Sequence, residues 1–165
     1  MAKPPKQKPG RSQQVVCTPK EFLVAVRNRL QIDNFAWDLA ASHENKICDS
    51  CWTEEDDALV QNWNIVSGWS YCNPPFSDLE PWVAKASLES LKGAQIVMLL
   101  PASVGSRWFR EFVHDKAHVI FLSPRLTFEG HTNCYPKDLI LTLWAKFITG
   151  GYSCWNWKDC LRPGK

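Results

Sequence analysis

No run of 18 apolar residues occurs in the 165-residue chain, which excludes a membrane-spanning helix. The first residues also lack the hydrophobic core of a secretory signal, so the expectation is a cytoplasmic protein without membrane association. Charge of one sign is scarce: the formal net charge is +2, which permits contact with nucleic acid without demanding it. Cys48-Asp49-Ser50-Cys51 has the spacing of zinc ligands, with His43 nearby. A second such pair is missing, because Cys154 and Cys160 stand six apart and far along the chain. Seven cysteines, an odd number, also argue against a complete disulfide framework, so free thiols and no metal are expected. No internal repeat is visible.

What is present suits one soluble domain: 45% hydrophobic and 22% charged residues, and enough length for a sizeable core. Lys3, Lys6, Lys8 and Arg11 precede any acidic residue and are interleaved with Pro4, Pro5, Pro9 and Gly10. Residues 1–14 therefore read as a disordered basic arm that either touches a phosphate backbone or simply aids solubility. Residues 15–165 read as a single domain.

Thr18-Pro19-Lys20-Glu21 has the pattern of a helix start, with Thr18 as cap, Pro19 in the first turn and Glu21 closing a capping box. Phe22, Leu23, Val26 and Leu30 then share one face. Residues 35–39 read as a short buried strand ending near an acid, followed by the small residues Ala40, Ala41 and Ser42. Residues 43–70 are polar with weak periodicity and predict irregular structure with short elements. Trp69–Cys72 predicts a strand stopped by Asn73-Pro74-Pro75-Phe76, and Ser77-Asp78-Leu79-Glu80 predicts a second capping box and helix. Residues 95–100 are apolar throughout, the pattern of a strand buried on both faces. A helix over 106–116, strands over 118–122 and 139–147, and a Trp-rich tail packing back on the body complete the prediction. The alternation indicates an α/β fold whose sheet is largely parallel at its centre. Ligands of such sheets bind beyond the carboxyl ends of the strands. Asp38 and Asn73 both sit at predicted strand ends, so one crevice can hold both.

Asn73-Pro74-Pro75-Phe76 carries the most chemistry. Two prolines stiffen the loop and remove two N–H donors, leaving carbonyls free to accept. The Asn73 side-chain oxygen and the Pro74 carbonyl can grip one –NH2 group from two sides. An arylamine or amide nitrogen is a weak nucleophile because its lone pair is delocalised. Two well-placed acceptors draw it toward tetrahedral geometry and stabilise the positive charge that grows as a methyl group arrives. Phe76 offers a face on which a planar base can stack.

This loop resembles that of the amino-methyltransferases, and the ordered series around it resembles the phage-type DNA N6-adenine methyltransferases (Dam-like). The series runs through Thr18-Pro19, Asp38 to Ser42, Asn45-Lys46, Asp57-Ala58-Leu59 and Trp63. It continues through Asn73 to Phe76, Trp82, Lys85-Ala86, Leu100-Pro101-Ala102, Trp108-Phe109 and Arg125-Leu126 with Phe128. The resemblance implies an abbreviated Rossmann-like methyltransferase fold, a mixed sheet flanked by helices, with S-adenosyl-L-methionine as cofactor and DNA as partner. It implies no obligate protein partner. Asn73, Pro74, Pro75 and Phe76 would be catalytic. Thr18 and Pro19 would flank the methionine part of the cofactor, Asp38 would meet its ammonium or ribose hydroxyls, and Ala40, Ala41 and Ser42 would line the pocket. Asp57 would accept from its adenine amino group. Arg125 would contact DNA, and Phe128 would be either a second stacking surface for the target base or a plain core residue.

Where methyltransferases of this fold often carry glycines, this chain has Asp38-Leu39-Ala40-Ala41-Ser42. Only 35 positions separate Asp38 from Asn73, so the cofactor half of the sheet has to be short. Guanine N2 in RNA and glutamine side chains in proteins suit the same loop, and the ordered series favours adenine in DNA. A non-catalytic nucleic-acid binder using the basic arm and nine tryptophans, or a zinc module on Cys48 and Cys51, are the readings from other classes. Specificity is expected to be short or relaxed, because little chain remains for a dedicated reading element. Segment 123–136, with Arg125, His131 and the adjoining Lys137, is the best candidate for DNA contact.

Overall fold

The computed structural model describes residues 16–65 and 67–161. The expected basic arm lies outside the described residues. Among these residues, no helix is long and apolar enough to cross a membrane.

Helix α1 spans Lys20–Leu30 and buries Phe22, Leu23, Ala25 and Val26, as its periodicity predicts. Its start differs from expectation. Pro19 occupies the cap position without a side-chain bond, and the Thr18 hydroxyl turns inward to the phenol of Tyr71, 3.0 Å away. Helix α2 spans Glu80–Lys92, starting later than the pattern Ser77-Asp78-Leu79-Glu80 implied, with Leu79 at its cap and Pro81 in its first turn. Pro81 costs little there, where the backbone N–H groups have no helical partner. Residues 106–116 do not make a regular α-helix. Phe109–Val113 is a π-helical segment, marked by the His114 N–H donating to the Phe109 carbonyl five residues back at 2.8 Å.

Six strands form one sheet: β1 (Trp37–Asp38), β2 (Trp69–Cys72), β3 (Gln95–Pro101), β4 (His118–Ser123), β5 (Leu139–Trp144) and β6 (Gly151–Asn156). Their order is β1-β2-β3-β5-β4-β6. The first three are parallel, and β6 runs parallel to β4. β5 runs against both its neighbours, so the sheet is mixed and its centre is not parallel, which corrects the expectation. β5 follows the long segment after β4 as an antiparallel return and buries all six of its residues.

The apolar strands are covered on both faces. Along β3, Ile96, Met98 and Leu100 pack on the side of α2, while Val97 and Leu99 pack on the side of α1. This alternation is the two-residue period of a strand, and it makes β3 the spine of a three-layer arrangement. The tail forms an edge strand and then a 3-10 turn, Trp157–Leu161. Trp155 and Trp157 are buried on α1, where Phe22 meets them at 6.2 and 5.4 Å. These rings are core, so the tail does not offer them as a stacking platform.

The β1 side of the sheet is short, as expected from the 35 positions between Asp38 and Asn73. β1 has only two regular residues, against the five predicted. On its open side the Asp38 N–H donates to the Ser50 carbonyl and the Trp52 N–H to the Asp38 carbonyl, both at 2.9 Å. Residues 50–52 thus satisfy the edge that a further strand would otherwise cover. The Cys48-to-Cys51 stretch leads into this bridge. The Cys48 thiol donates to the Ser50 carbonyl, and burial, with Asp38 and Cys51 nearby, pushes it up to about 11. Among the described residues, no three His, Cys, Asp or Glu side chains cluster as metal ligands.

Candidate active site

β1, β2, β3 and β4 all point their carboxyl ends the same way, since β4 and β3 each oppose β5. The loops that follow them therefore collect on one edge: residues 39–45, 73–79, 102–108 and 124–138. Three cavities open there, and Asn73 lines all of them.

The largest is a cleft of about 370 Å³, within the range of small-molecule sites. Ala40, Ala41, Ser42 and Asn45 form one wall, and Trp52, Asp57 and Ala58 another. Asn73, Pro75 and Trp82 close it. The small side chains after β1 are what leave the room. Asn45 shapes this wall, accepting from the Ser42 N–H and hydroxyl, each at 2.7 Å. Asp57 is exposed and stands in left-handed conformation, φ 48°, at the end of a 3-10 turn, Glu54–Asp56. Its backbone geometry turns the chain so that its carboxylate borders the cleft, while one oxygen accepts from the Leu59 N–H at 3.2 Å.

Asp38 is only 4% exposed and does not line the large cleft. It faces a polar recess of about 30 Å³ shared with Thr18, Ala40, Asn45, Tyr71 and Asn73. Its two oxygens accept from the Ala40 N–H at 3.2 Å and the Ile47 N–H at 3.1 Å, so the carboxylate ties down both ends of the 40–47 loop. Burial pushes Asp38 up from 3.8 to about 6, with the two N–H donors offsetting part of the rise. The folded chain thus holds this proton more tightly than the unfolded one. The group's stabilising contribution is full below pH 3.8 and is lost as pH rises through about 6, an effect on the order of 3 kcal/mol. Asp38→Asn removes that titration. Urea unfolding is expected to show wild type losing stability relative to the variant between pH 4 and 6.5. Parallel profiles would mean that Asp38 titrates normally.

The second cavity, about 30 Å³, is aromatic: Val16, Asn73, Pro74, Phe76, Phe128 and Tyr135 enclose it. Tyr135 stands edge-on to Phe76 at 5.8 Å and to Phe128 at 5.5 Å. The Asn-Pro-Pro-Phe loop therefore divides its residues. Pro75 borders the large cleft, Pro74 and Phe76 border the aromatic pocket, and Asn73 stands between.

Asn73 has a defined orientation. Its Nδ2 donates to the Val16 carbonyl at 3.0 Å and to the Thr18 hydroxyl at 3.3 Å. A carbonyl only accepts, so the nitrogen end must face it, leaving Oδ1 as the acceptor for a ligand.

The sequence-derived residues thus meet at one edge with different parts to play. Ala40, Ala41, Ser42 and Asp57 line the cleft, while Thr18 and Asp38 lie in the polar recess beneath it. Pro19 lines none of the three cavities and begins α1. Phe128 is buried in the core and also lines the aromatic pocket. Arg125 is half exposed at the same edge and donates to Asp138 at 2.8 Å. Sequence reasoning missed Tyr135 and Trp52, which sit in stretches without periodicity. Tyr71 was detectable, because it precedes Asn73 by two residues and so shares its side of the strand.

Residues 7–158 match the family model described as DNA N-6-adenine-methyltransferase (Dam). The chain is also similar to a DNA N-6-adenine-methyltransferase of Escherichia phage T1, with 31% identity over 121 residues. That match covers 73% of this chain and 50% of the phage protein, so the chain spans about half of its relative's length.

Proposed function

The chain belongs to the DNA N-6-adenine-methyltransferase (Dam) family, and from that premise we propose that it transfers a methyl group from S-adenosylmethionine to the exocyclic N6 amine of adenine in DNA. The observation that carries the reading is the position of Asn73 at the junction of two dissimilar cavities. One is a cleft of a size for a nucleoside cofactor, and the other is a small recess lined by aromatic rings of the kind that stack on a planar base.

The cleft suits the cofactor chemically. Trp52 and Trp82 offer flat apolar surface for an adenine ring, Asp57 offers an acceptor for its amino group, and Ala40, Ala41 and Ser42 let a ligand approach the backbone. When bound there, S-adenosylmethionine supplies an electrophilic methyl group on a sulfonium centre. The protein's share of the reaction is to orient and polarise the target. Asn73 Oδ1 and the Pro74 carbonyl accept hydrogen bonds from the adenine amine and stabilise the charge it develops. Phe76, with Phe128 and Tyr135, holds the base by its faces and edges after it leaves the stack. The aromatic pocket has room for about one water molecule, so its walls have to separate to admit a base.

We read residues 15–165 as one domain with an abbreviated Rossmann-like methyltransferase fold, in which residues 50–52 stand in for the missing outer strands. The segment bearing Arg125, His131 and Lys137 supplies DNA contacts at the same edge. Recognition through it rests mainly on phosphates, giving short or relaxed specificity and a steep dependence on salt.

The test is incubation with labelled S-adenosylmethionine and separate DNA, RNA and protein acceptors, followed by nucleoside analysis. N6-methyladenine in DNA is the expected product. Cofactor binding is read independently by tryptophan fluorescence, since Trp52 and Trp82 line the cleft. Label in guanine or glutamine would transfer the same site to another acceptor. Absence of both binding and transfer would overturn the assignment.

A further inference from the structure

Asn73 and Tyr71 are two residues apart on one extended segment, so their side chains share a face with backbones about 6.7 Å apart. The amide and the phenol are linked through a third side chain. Thr18 closes the gap from a different element. Its Oγ1 lies 3.0 Å from the Tyr71 hydroxyl and accepts from Asn73 Nδ2 at 3.3 Å. The Val16 carbonyl takes the other proton of the same nitrogen. Both N–H groups of the Asn73 amide are thus used inside the fold. Thr18 is 7% exposed and Tyr71 1%, so water competes poorly for either hydroxyl.

We infer that Thr18 and Tyr71 are positioning residues for the Asn73 amide, holding its oxygen toward the target amine, and that Thr18 acts on the rate through this amide rather than on cofactor affinity. The inference rests on the reading of Asn73 as acceptor for that amine. A rotation of the amide by 180° would present a donor to a donor and abolish the grip. Two acceptors on Nδ2 prevent it, and Thr18 supplies one of them. Tyr71 keeps the Thr18 hydroxyl in place from below. Thr18 does not itself line the large cleft; it lines the polar recess, which shares Ala40, Asn45 and Asn73 with that cleft.

The test compares Thr18→Val, Thr18→Ser, Tyr71→Phe and Asn73→Ala by steady-state methyl transfer to DNA and by cofactor titration. Thr18→Val is expected to lower kcat about tenfold, and Tyr71→Phe about threefold, the size of a lost neutral hydrogen bond. Cofactor Kd should stay within twofold in both. Thr18→Ser, which keeps the hydroxyl, should recover most of the rate. In the Asn73→Ala background, Thr18→Val should change kcat less than twofold, because nothing is left to position. A rise in cofactor Kd with unchanged kcat would make Thr18 a cofactor contact and overturn the inference, as would full additivity with Asn73→Ala. If Thr18→Val does not fold, Tyr71→Phe carries the same test. The Asn73 side-chain NH2 resonances, identified by their loss in Asn73→Ala, give a readout that needs no activity. They should shift in both Thr18→Val and Tyr71→Phe, and unchanged resonances would refute the contact. A wild-type protein inactive on DNA would remove the premise and the inference together. An active wild type with an unaffected Thr18→Val would remove the inference alone.

Discussion

Replacing Asn73 by alanine is expected to lower methyl transfer by about 10²–10³-fold while leaving cofactor affinity nearly unchanged, as for the loss of one preorganised group facing developing charge. Asn73 is the residue where the cleft and the aromatic pocket meet, and its amide nitrogen is already engaged by Val16 and Thr18. On the proposed function the oxygen would face the target amine without reorganising, and the interaction would be strongest when that amine carries positive charge. Such an interaction affects kcat more than binding. Asn73→Asp keeps an acceptor but loses the two donors that orient it. It is expected to fall between alanine and wild type. Single-turnover rates at saturating cofactor check both variants. Asn73→Ala with near wild-type turnover would place the chemistry elsewhere on this edge.

Trp63→Ala is expected to destabilise the fold by about 3–5 kcal/mol in urea unfolding, the usual cost of emptying a large buried aromatic site. The ring is 1% exposed, and its indole N–H donates to the Ala58 carbonyl at 2.8 Å. Trp82 lies 6.2 Å away, and the Lys85 ammonium sits 5.5 Å from the Trp63 ring. Lys85 in turn pairs with Glu89, which also accepts from Lys92 at 2.8 Å. This group fastens the 57–63 stretch to α2 and so holds the Asp57–Ala58 wall of the large cleft. The variant should accordingly bind cofactor more weakly under conditions where it is still folded. Trp63→Phe keeps one ring but loses the bond to Ala58 and part of the packing, so a smaller loss of about 1–3 kcal/mol is expected. A loss below 1 kcal/mol for Trp63→Ala would show that the wall is held by other contacts.

Much of the site was legible in the chain because its determinants are local. Pro74 and Pro75 dictate their own backbone, the apolar run of β3 reports burial on both faces, and Ala40, Ala41 and Ser42 report space for a ligand. The strand–loop–helix order around Asn73 follows from these alone, and it placed the reactive loop at a strand end. The boundaries were less legible. β1 looked five residues long because Phe35 and Leu39 are buried like strand residues, although Phe35 lies in irregular chain before the strand and Leu39 in a turn after it. The two capping boxes matched local patterns, and at the first of them tertiary contacts claimed the Thr18 hydroxyl.

Residues that meet only through the fold were decided by the tertiary structure. Tyr135 completes the aromatic pocket from a segment of turns, where no period announces an inward side chain. Residues 50–52 cap the edge of β1 through backbone bonds that any side chains would allow. The antiparallel return of β5 between β3 and β4 is set by which neighbours can bury a strand that is apolar except for Thr142, a choice that its own sequence does not encode. The orientation of the Asn73 amide depends on partners 55 and 57 residues away, Thr18 and Val16. Local sequence put the asparagine at a strand end, and contacts distant in sequence determine which of its two ends is left free.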